Sequence, residues 1–238
     1  NNAVVTSTWQ NFRFGNEDGY VKDESGESCL RVPAGRLLNI AYNPLALLYR
    51  SPNASLNIEL DIRIRNVTNE DDPIVRLAEQ VSGVWRGLRM LPIIGYMTTE
   101  SWNADEESDF RWQEDVRTHI AINIVNAVYP NAHGDALTTA EKSAQSQGSF
   151  PLVRVFINGI INREFVYVPG ATEFCTSAMS NGGMTFGQNG ADIDIYGIRI
   201  WEGVALTPEQ VLQDYISTLP NSDEKRRLKA ENSIIASR

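Results

Sequence analysis

The chain has 238 residues, 42% of them hydrophobic and 21% charged, which is ordinary for a soluble globular protein and enough for one large all-β domain. The formal net charge of −9 disfavours a phosphate-binding surface, which needs clustered Lys and Arg, so no nucleic-acid partner is expected. No apolar run approaches the roughly 18 residues of a membrane span. With only two cysteines, Cys29 and Cys175, we expect reduced thiols, although one disulfide remains an alternative.

The first clear strand signal runs from Ser55 to Arg65. Isoleucine or leucine alternates there with a polar residue over ten positions, which predicts a strand with one buried and one wet face. Asn66 to Pro73 is polar and predicts a turn, with Ile74 to Leu77 as the hairpin partner.

Further strands are predicted at Leu88 to Met97, Thr118 to Val125 and Val153 to Ile157. The last is followed by Asn158-Gly159, which favours a type I′ turn and a return strand to about Val168. Residues 126–149 have no apolar period and predict a long insertion.

Between Ile193 and Trp201, the first two isoleucines and the last two have opposite parity, with Gly197 at the switch. A β-bulge there would return all four to one side. Thr207-Pro208-Glu209 then predicts the start of a helix over about 208–219, with one apolar stripe, ended by Pro220.

These elements predict an all-β jelly-roll sandwich of two antiparallel sheets over residues 1–219, with a C-terminal helix. Residues 220–238, strongly charged, predict a helical linker leading out of the domain. The first residues show no signal peptide and no initiator Met, so we expect a segment of a longer protein.

Three segments resemble laminin G-like modules of the concanavalin A-like superfamily. Glu114 to Ala121 is similar to the family's W-H-H-V-A strand entry, and Val153 to Gly159 to its V-x-L-Y-V-N-G hairpin. Asp192 to Val211 is similar to its I-D-x-V-R-I-Y-x-x-A-L-S-x-x-E-I ending. Arg117, Thr118, Tyr196 and Gly197 depart from the family pattern, and no residue set matches its calcium ligands.

The resemblance implies a non-catalytic binding or structural module within a larger extracellular, cell-surface or virion protein, such as a phage tail protein. Its expected partners are a glycan or protein surface and the neighbouring domains of the longer chain. Because glycoside hydrolases and lyases share this sandwich, a glycan-cleaving enzyme is the alternative.

That alternative would use Glu59 and Asp61, which have the i, i+2 spacing that a retaining glycosidase can use. Arg63 and Arg65 continue the same face, and no third acid follows, so ion pairing is the simpler interpretation and no catalytic residue is assigned. Of the two histidines, His119 is interpreted as a hydrogen-bonded strand residue and His133 as part of the long loop.

The segment from Trp102 to Trp112 carries the predicted ligand site. Its aromatic and amide side chains, Trp102, Asn103 and Trp112, could stack on or hydrogen-bond to a sugar. Its acids Asp105, Glu106 and Asp109 offer the hard oxygen ligands that calcium prefers. The alternative is an acidic hairpin tip with both tryptophans folded into the core. A second, weaker oxygen cluster consists of Asn189, Asp192 and Asp194.

Overall fold

A computed structural model of the chain describes residues 7–10, 19–40, 55–81, 84–92, 97–98, 111–125, 152–166, 182–219 and 227. Within these residues, thirteen strands form two antiparallel sheets and a helix follows them. The fold is an all-β sandwich with a helix near its C-terminal end, so the predicted fold class is confirmed.

One sheet has six strands. In spatial order they are β1 (Ser7–Gln10), β4 (Arg36–Ile40), β12 (Gly182–Gln188), β6 (Val75–Val81), β7 (Val84–Met90) and β8 (Met97–Thr98). The other sheet has seven. In spatial order they are β11 (Ile160–Val166), β10 (Leu152–Ile157), β9 (Arg117–Val125), β5 (Ser55–Arg65), β13 (Asp192–Glu202), β3 (Ser28–Val32) and β2 (Gly19–Lys22).

The main core lies between the two sheets. Leu56, Ile58, Leu60, Ile62 and Ile64 of β5 point into it and are fully buried. The strand prediction for Ser55 to Arg65 is confirmed to the residue. The expectation of a wet second face is wrong, because the polar side chains that alternate with these residues are also buried over the first part of the strand.

The predicted hairpin between β5 and Ile74 to Leu77 is wrong. β5 pairs with β9 on one side and β13 on the other, so neither of its edges is free for another strand. Val75 instead begins β6 in the opposite sheet, where it pairs with β7 and β12. Residues 66–74 therefore connect the two sheets.

The strand predicted over Leu88 to Met97 has different limits. β7 begins at Val84 and ends at Met90, and the short β8 begins at Met97. Pro92 lies between them and, lacking a backbone N–H, cannot donate to the ladder of a continuous strand.

Two predictions from glycine positions are confirmed. Asn158 and Gly159 have φ values of 51° and 77° and join β10 to β11 with Ile157 facing Ile160, as a type I′ turn requires. In β13, the register with β5 shifts between Ile195 and Gly197, which is the bulge. The bulge keeps the isoleucines on both sides of it packed against the main core.

The helix α1 spans Pro208–Thr218 and begins as predicted. Thr207 accepts a hydrogen bond from the backbone N–H of Gln210, and the Gln210 side chain accepts one from the Thr207 N–H, which forms a capping box. The helix lies on the face of the seven-stranded sheet that points away from the main core. A second apolar cluster holds it there through Ala121, Phe156, Leu206 and Val211.

Candidate functional site

The polar residues of β5 form the floor of a site on the outer face of the seven-stranded sheet. Asn57, Glu59 and Asp61 alternate with the core isoleucines and leucines, so they share this outer face. They are 0%, 1% and 5% exposed. Burying carboxylates is costly unless each is paired, so their partners determine what this face can do.

Asp61 is held by Arg117 of β9. The Arg117 Nε donates to one carboxylate oxygen of Asp61 at 2.7 Å, and its Nη2 donates to the other. The same guanidinium also donates to Glu27 at 2.6 Å and to the carbonyl oxygen of Thr218, at the end of α1, at 3.1 Å. Burial acts to lower the pKa of Arg117, but its bonds to Asp61 and Glu27 outweigh burial and raise it. Arg117 is therefore permanently charged and joins sheet, turn and helix.

Glu59 has a looser set of partners. Its Oε2 lies 3.3 Å from the His119 Nε2 and 3.4 Å from an Arg199 Nη1, and Asn57 donates to its Oε1 at 3.2 Å. These distances are at or beyond the long end of the usual hydrogen-bond range. The Nδ1 of His119 is buried and, among the described residues, has no hydrogen-bond partner. Glu59 is thus paired, with unused hydrogen-bonding capacity beside it.

Asp214 of α1 approaches Glu59 from above the sheet. Burial, the negative charge of Glu59 and a hydrogen bond with Glu59 together raise the pKa of Asp214. Two neighbouring carboxylates repel each other when both are charged, so the contact with Glu59 makes the proton of Asp214 harder to remove.

An open cleft of about 210 Å³ lies over Glu59 and Asp61. The turn between β2 and β3 forms one wall through Glu27, and the end of α1 forms another through Thr218. The other lining residues are Arg117, His119, Tyr196, Gly197 and Arg199.

The bulge of β13 shapes this cleft. Tyr196 is the extra residue, and its hydroxyl donates to Asp23 at 2.8 Å, while the Arg117 guanidinium stacks over its ring at 4.1 Å. Burial first, and then the bond to Asp23, raise the pKa of Tyr196, so the phenol stays protonated. Gly197 follows, and a Cβ added to it would meet no atom within 4 Å, so the cleft is open above this residue.

In the second predicted oxygen cluster, the carboxylates of Asp192 and Asp194 both accept hydrogen bonds from other protein groups. Asp194 is fully buried and accepts from Arg31 and Arg63 at 2.7 Å each, with Arg65 at 3.3 Å. Asp192 instead accepts from the Ala34 backbone N–H and from Asn66. In the part of the chain that the structure describes, no group of three His, Cys, Asp or Glu could hold a metal ion.

The predicted loop site is described only at Trp112. This residue is 7% exposed and packs in the main core, so its ring offers no face to a sugar. That burial agrees with the alternative interpretation of this tryptophan as a core residue. Trp102, Asn103, Asp105, Glu106 and Asp109 lie outside the described residues, and the loop site and its calcium stay predictions.

The structure describes one of the two histidines and one of the two cysteines. His119 is a buried, hydrogen-bonded strand residue as expected, whereas His133 lies outside the described residues. Cys29 is a buried free thiol, and burial followed by the charge of Asp194 raises its pKa to about 11. Cys175 lies outside the described residues. No helix among the described residues has the length and apolar character that crossing a membrane requires.

The residues that other elements bring to the cleft were not predicted from the sequence. Glu27, Tyr196 and Arg199 line the cleft from a turn, a bulge and a strand, and no shared motif links them. Asp214 does not line the cleft, but it neighbours Glu59 from the helix. The change in side-chain alternation at Gly197 is the sequence feature that could have indicated the cleft. It predicts a bulge, and bulges redirect side chains and are frequent next to functional sites.

No protein-family model matches the chain, and no curated protein matches it. Solved structures do. The binding domain of botulinum neurotoxin serotype D/C matches with a TM-score of 0.50 and 14% identity, covering 90% of this chain and 48% of that one. Domain 4 of AbnA, a GH43 extracellular arabinanase from Geobacillus stearothermophilus solved with arabinotriose, matches with a TM-score of 0.49 and 17% identity over 87% and 86% of the two chains.

An alginate lyase of polysaccharide lyase family 7 matches with a TM-score of 0.39 and 8% identity, covering 80% of this chain and 85% of that one. The chain spans about half the length of the neurotoxin chains that it matches. At these identities, the likeness to the neurotoxin domain shows a shared β-sandwich fold alone.

Proposed function

We propose that the chain is a non-catalytic binding module whose ligand is a glycan. The observation that supports this most is the state of the cleft carboxylates. Glu27 and Asp61 are both held by Arg117, and Glu59 faces Arg199 and His119. These paired side chains offer fixed hydrogen-bond donors and acceptors to the hydroxyl groups of a glycan. None of the three carboxylates is free to act as a nucleophile.

The pairing of Asp61 argues specifically against hydrolysis. A retaining glycosidase needs one carboxylate free to attack the sugar and a second carboxyl group to donate a proton. Asp61 is engaged at both oxygens by one guanidinium, so an attack by either oxygen would have to break a charge-assisted bond. The neurotoxin domain named above is a binding domain, but this chain shares only its fold. The proposal therefore rests on the cleft and not on that likeness.

The test is a glycan array combined with a turnover assay. We expect the purified chain to bind at least one glycan saturably and to release no reducing ends or unsaturated products from a polysaccharide panel. The matched variant is Glu59→Gln, which keeps size and removes the charge. Binding without turnover in the wild type supports the module, and turnover that Glu59→Gln abolishes contradicts it.

A glycan-cleaving enzyme is the second candidate, and one contact favours it. Glu59 and Asp214 are neighbouring carboxyls, and the pKa of Asp214 is raised, as is common for the carboxyl group that acts as a general acid. The turnover assay with Asp214→Asn tests it. Turnover that survives both this variant and Glu59→Gln would exclude this pair as its source.

The loop from Trp102 to Trp112 is the alternative place for the ligand. Trp102→Ala and Asp105→Ala, measured with calcium and with a chelator, test it on the same array. Loss of binding in these variants, together with calcium dependence, would place the ligand at the loop. Unchanged binding in both would favour the cleft.

We also propose, from the laminin G-like resemblance, that the module belongs to a larger extracellular, cell-surface or virion protein. The chain itself has a mass of 26.6 kDa. An antibody raised against it should therefore detect a much larger band in the secreted, surface or particle fraction of the source. A band near 26.6 kDa found only in a cell lysate would contradict this proposal.

A further inference from the structure

The volume of the cleft over Glu59 and Asp61, and the pairing of its charges, restrict the class of ligand that it can bind. We infer that it binds a single uncharged sugar ring, such as the terminal residue of a neutral glycan. This inference rests on the proposed glycan-binding function and names the ligand class and the place where it binds.

The size argues for one ring. The cleft volume of about 210 Å³ lies below the range of about 300–1,000 Å³ that is usual for pockets holding drug-sized ligands. Glu27 of the β2–β3 turn and Thr218 at the end of α1 both line it, and both contact Arg117. These walls limit how far a glycan chain can run across the sheet, so the cleft fits a chain end better than an internal stretch.

The charge pattern argues for an uncharged ligand. Three carboxylates line the cleft, and every one of them faces a guanidinium or His119. An acidic sugar would have to draw Arg117 or Arg199 away from these partners and leave a buried carboxylate unpaired, which is strongly unfavourable. An amino sugar would have to displace a guanidinium from a carboxylate that already holds it, and would gain little in exchange.

The loose contacts around Glu59 argue for a hydroxyl group. A hydroxyl both donates and accepts, so one hydroxyl can bridge a cation and a carboxylate without breaking charge balance. The Arg199-to-Glu59 distance of 3.4 Å is long, and the Arg199 side chain is 38% exposed and within reach of a ligand. Nearby, the buried Nδ1 of His119 has no partner among the described residues.

Gly197 provides the test, because it lines the cleft and has free space above it. A Cβ there would meet nothing within 4 Å, and Gly197 is not among the glycines with left-handed φ, so a side chain fits its backbone. Gly197→Phe should fill the cleft and leave the sheet intact. Val204→Phe is the matched control, since Val204 is 45% exposed and does not line the cleft.

The experiment measures binding of monosaccharide probes by saturation-transfer NMR and calorimetry. The neutral probes are the methyl glycosides of glucose, galactose, mannose, arabinose and N-acetylglucosamine. The charged probes are glucuronate, N-acetylneuraminate and glucosamine. We expect at least one neutral probe to bind, each charged probe to bind at least tenfold more weakly, and Gly197→Phe but not Val204→Phe to weaken binding at least tenfold.

A thermal melt of each variant checks that it folds. If Gly197→Phe does not fold, the experiment uses Arg199→Met instead, which removes one hydrogen-bond donor of the cleft. Tighter binding of a charged probe would overturn the inference, as would wild-type affinity in the folded cleft variants. Binding of oligosaccharides on the array with no monosaccharide bound would also overturn it, while leaving the proposed function in place. An array on which nothing binds would overturn both.

Discussion

Replacing Asp194 tests how much the buried ion pairs on the outer face of the seven-stranded sheet contribute to stability. Its side chain is fully buried, and three guanidinium groups converge on it, from Arg31, Arg63 and Arg65, whose side chains are only 12–19% exposed. Burial acts to raise the pKa of Asp194, but the hydrogen bonds from Arg31 and Arg63 outweigh it, and the pKa is lowered. The carboxylate is therefore the central charge of this cluster.

We expect Asp194→Asn to cost about 3 kcal/mol of unfolding free energy at pH 7. Removing one partner of a buried ion pair costs roughly 3–5 kcal/mol, and the partial exposure of the arginines places this case at the low end. For a chain of this length, that loss lowers Tm by roughly 6–12 °C. Urea denaturation followed by tryptophan fluorescence gives the free energy, and calorimetry gives Tm.

The pH dependence gives an independent check of the same reasoning. A carboxylate with a lowered folded-state pKa stabilises the fold at pH values above its ordinary value of 3.8, and this contribution is lost as the pH falls through the folded value. The stability difference between wild type and Asp194→Asn should thus be constant from pH 6 to 8 and shrink in acid. Glu164→Gln, which removes the partly exposed ion pair with Arg154, is the control and should cost less than about 1 kcal/mol. Equal losses of unfolding free energy in the two variants would refute the reasoning. A stability difference between wild type and Asp194→Asn that does not change in acid would also refute it.

Two further predictions concern the helix α1 and the contacts that position it over the sheet. Asp214→Asn should stabilise the fold at neutral pH by less than about 1 kcal/mol. A carboxyl with a raised pKa lowers stability above that pKa, so the gain should vanish as the pH falls below the ordinary value of 3.8; a variant less stable than wild type at pH 7 would contradict this. Gly159→Ala should cost about 2 kcal/mol or more, because φ is +77° and the new Cβ would lie 2.8 Å from the Leu212 Cδ1 and 3.0 Å from its Cα. Gly26→Ala is its control, since φ is +86° there but nothing lies within 4 Å, and equal losses in urea denaturation would show that α1 does not press on the turn.

Several elements could be predicted from the sequence because their signals are local. The alternation from Ser55 to Arg65, the Asn158-Gly159 turn, the bulge at Gly197 and the capping box at Thr207 each depend on residues a few positions apart. The backbone conformation of such a segment is favoured by its own side chains, whichever strand becomes its neighbour.

The sheet assignment of Ile74 to Leu77 could not be predicted in this way. A strand signal states that a segment is extended, but it does not say which edge the segment will join. Both edges of β5 were taken by β9 and β13, which lie far from it along the chain. Long-range pairing of this kind is decided by packing of the whole sandwich.

The cleft depends on the tertiary structure for the same reason. The alternation of apolar and polar residues along β5 is enough to place Glu59 and Asp61 on one face of a strand. Only the folded sandwich brought Arg117, 56 residues away from Asp61 along the chain, and Glu27, 90 residues away from Arg117, into contact over that face. It also placed α1 there and buried a face expected to be wet. Periodicity records which residues point the same way, whereas charge pairing and burial depend on which distant segments the fold brings together.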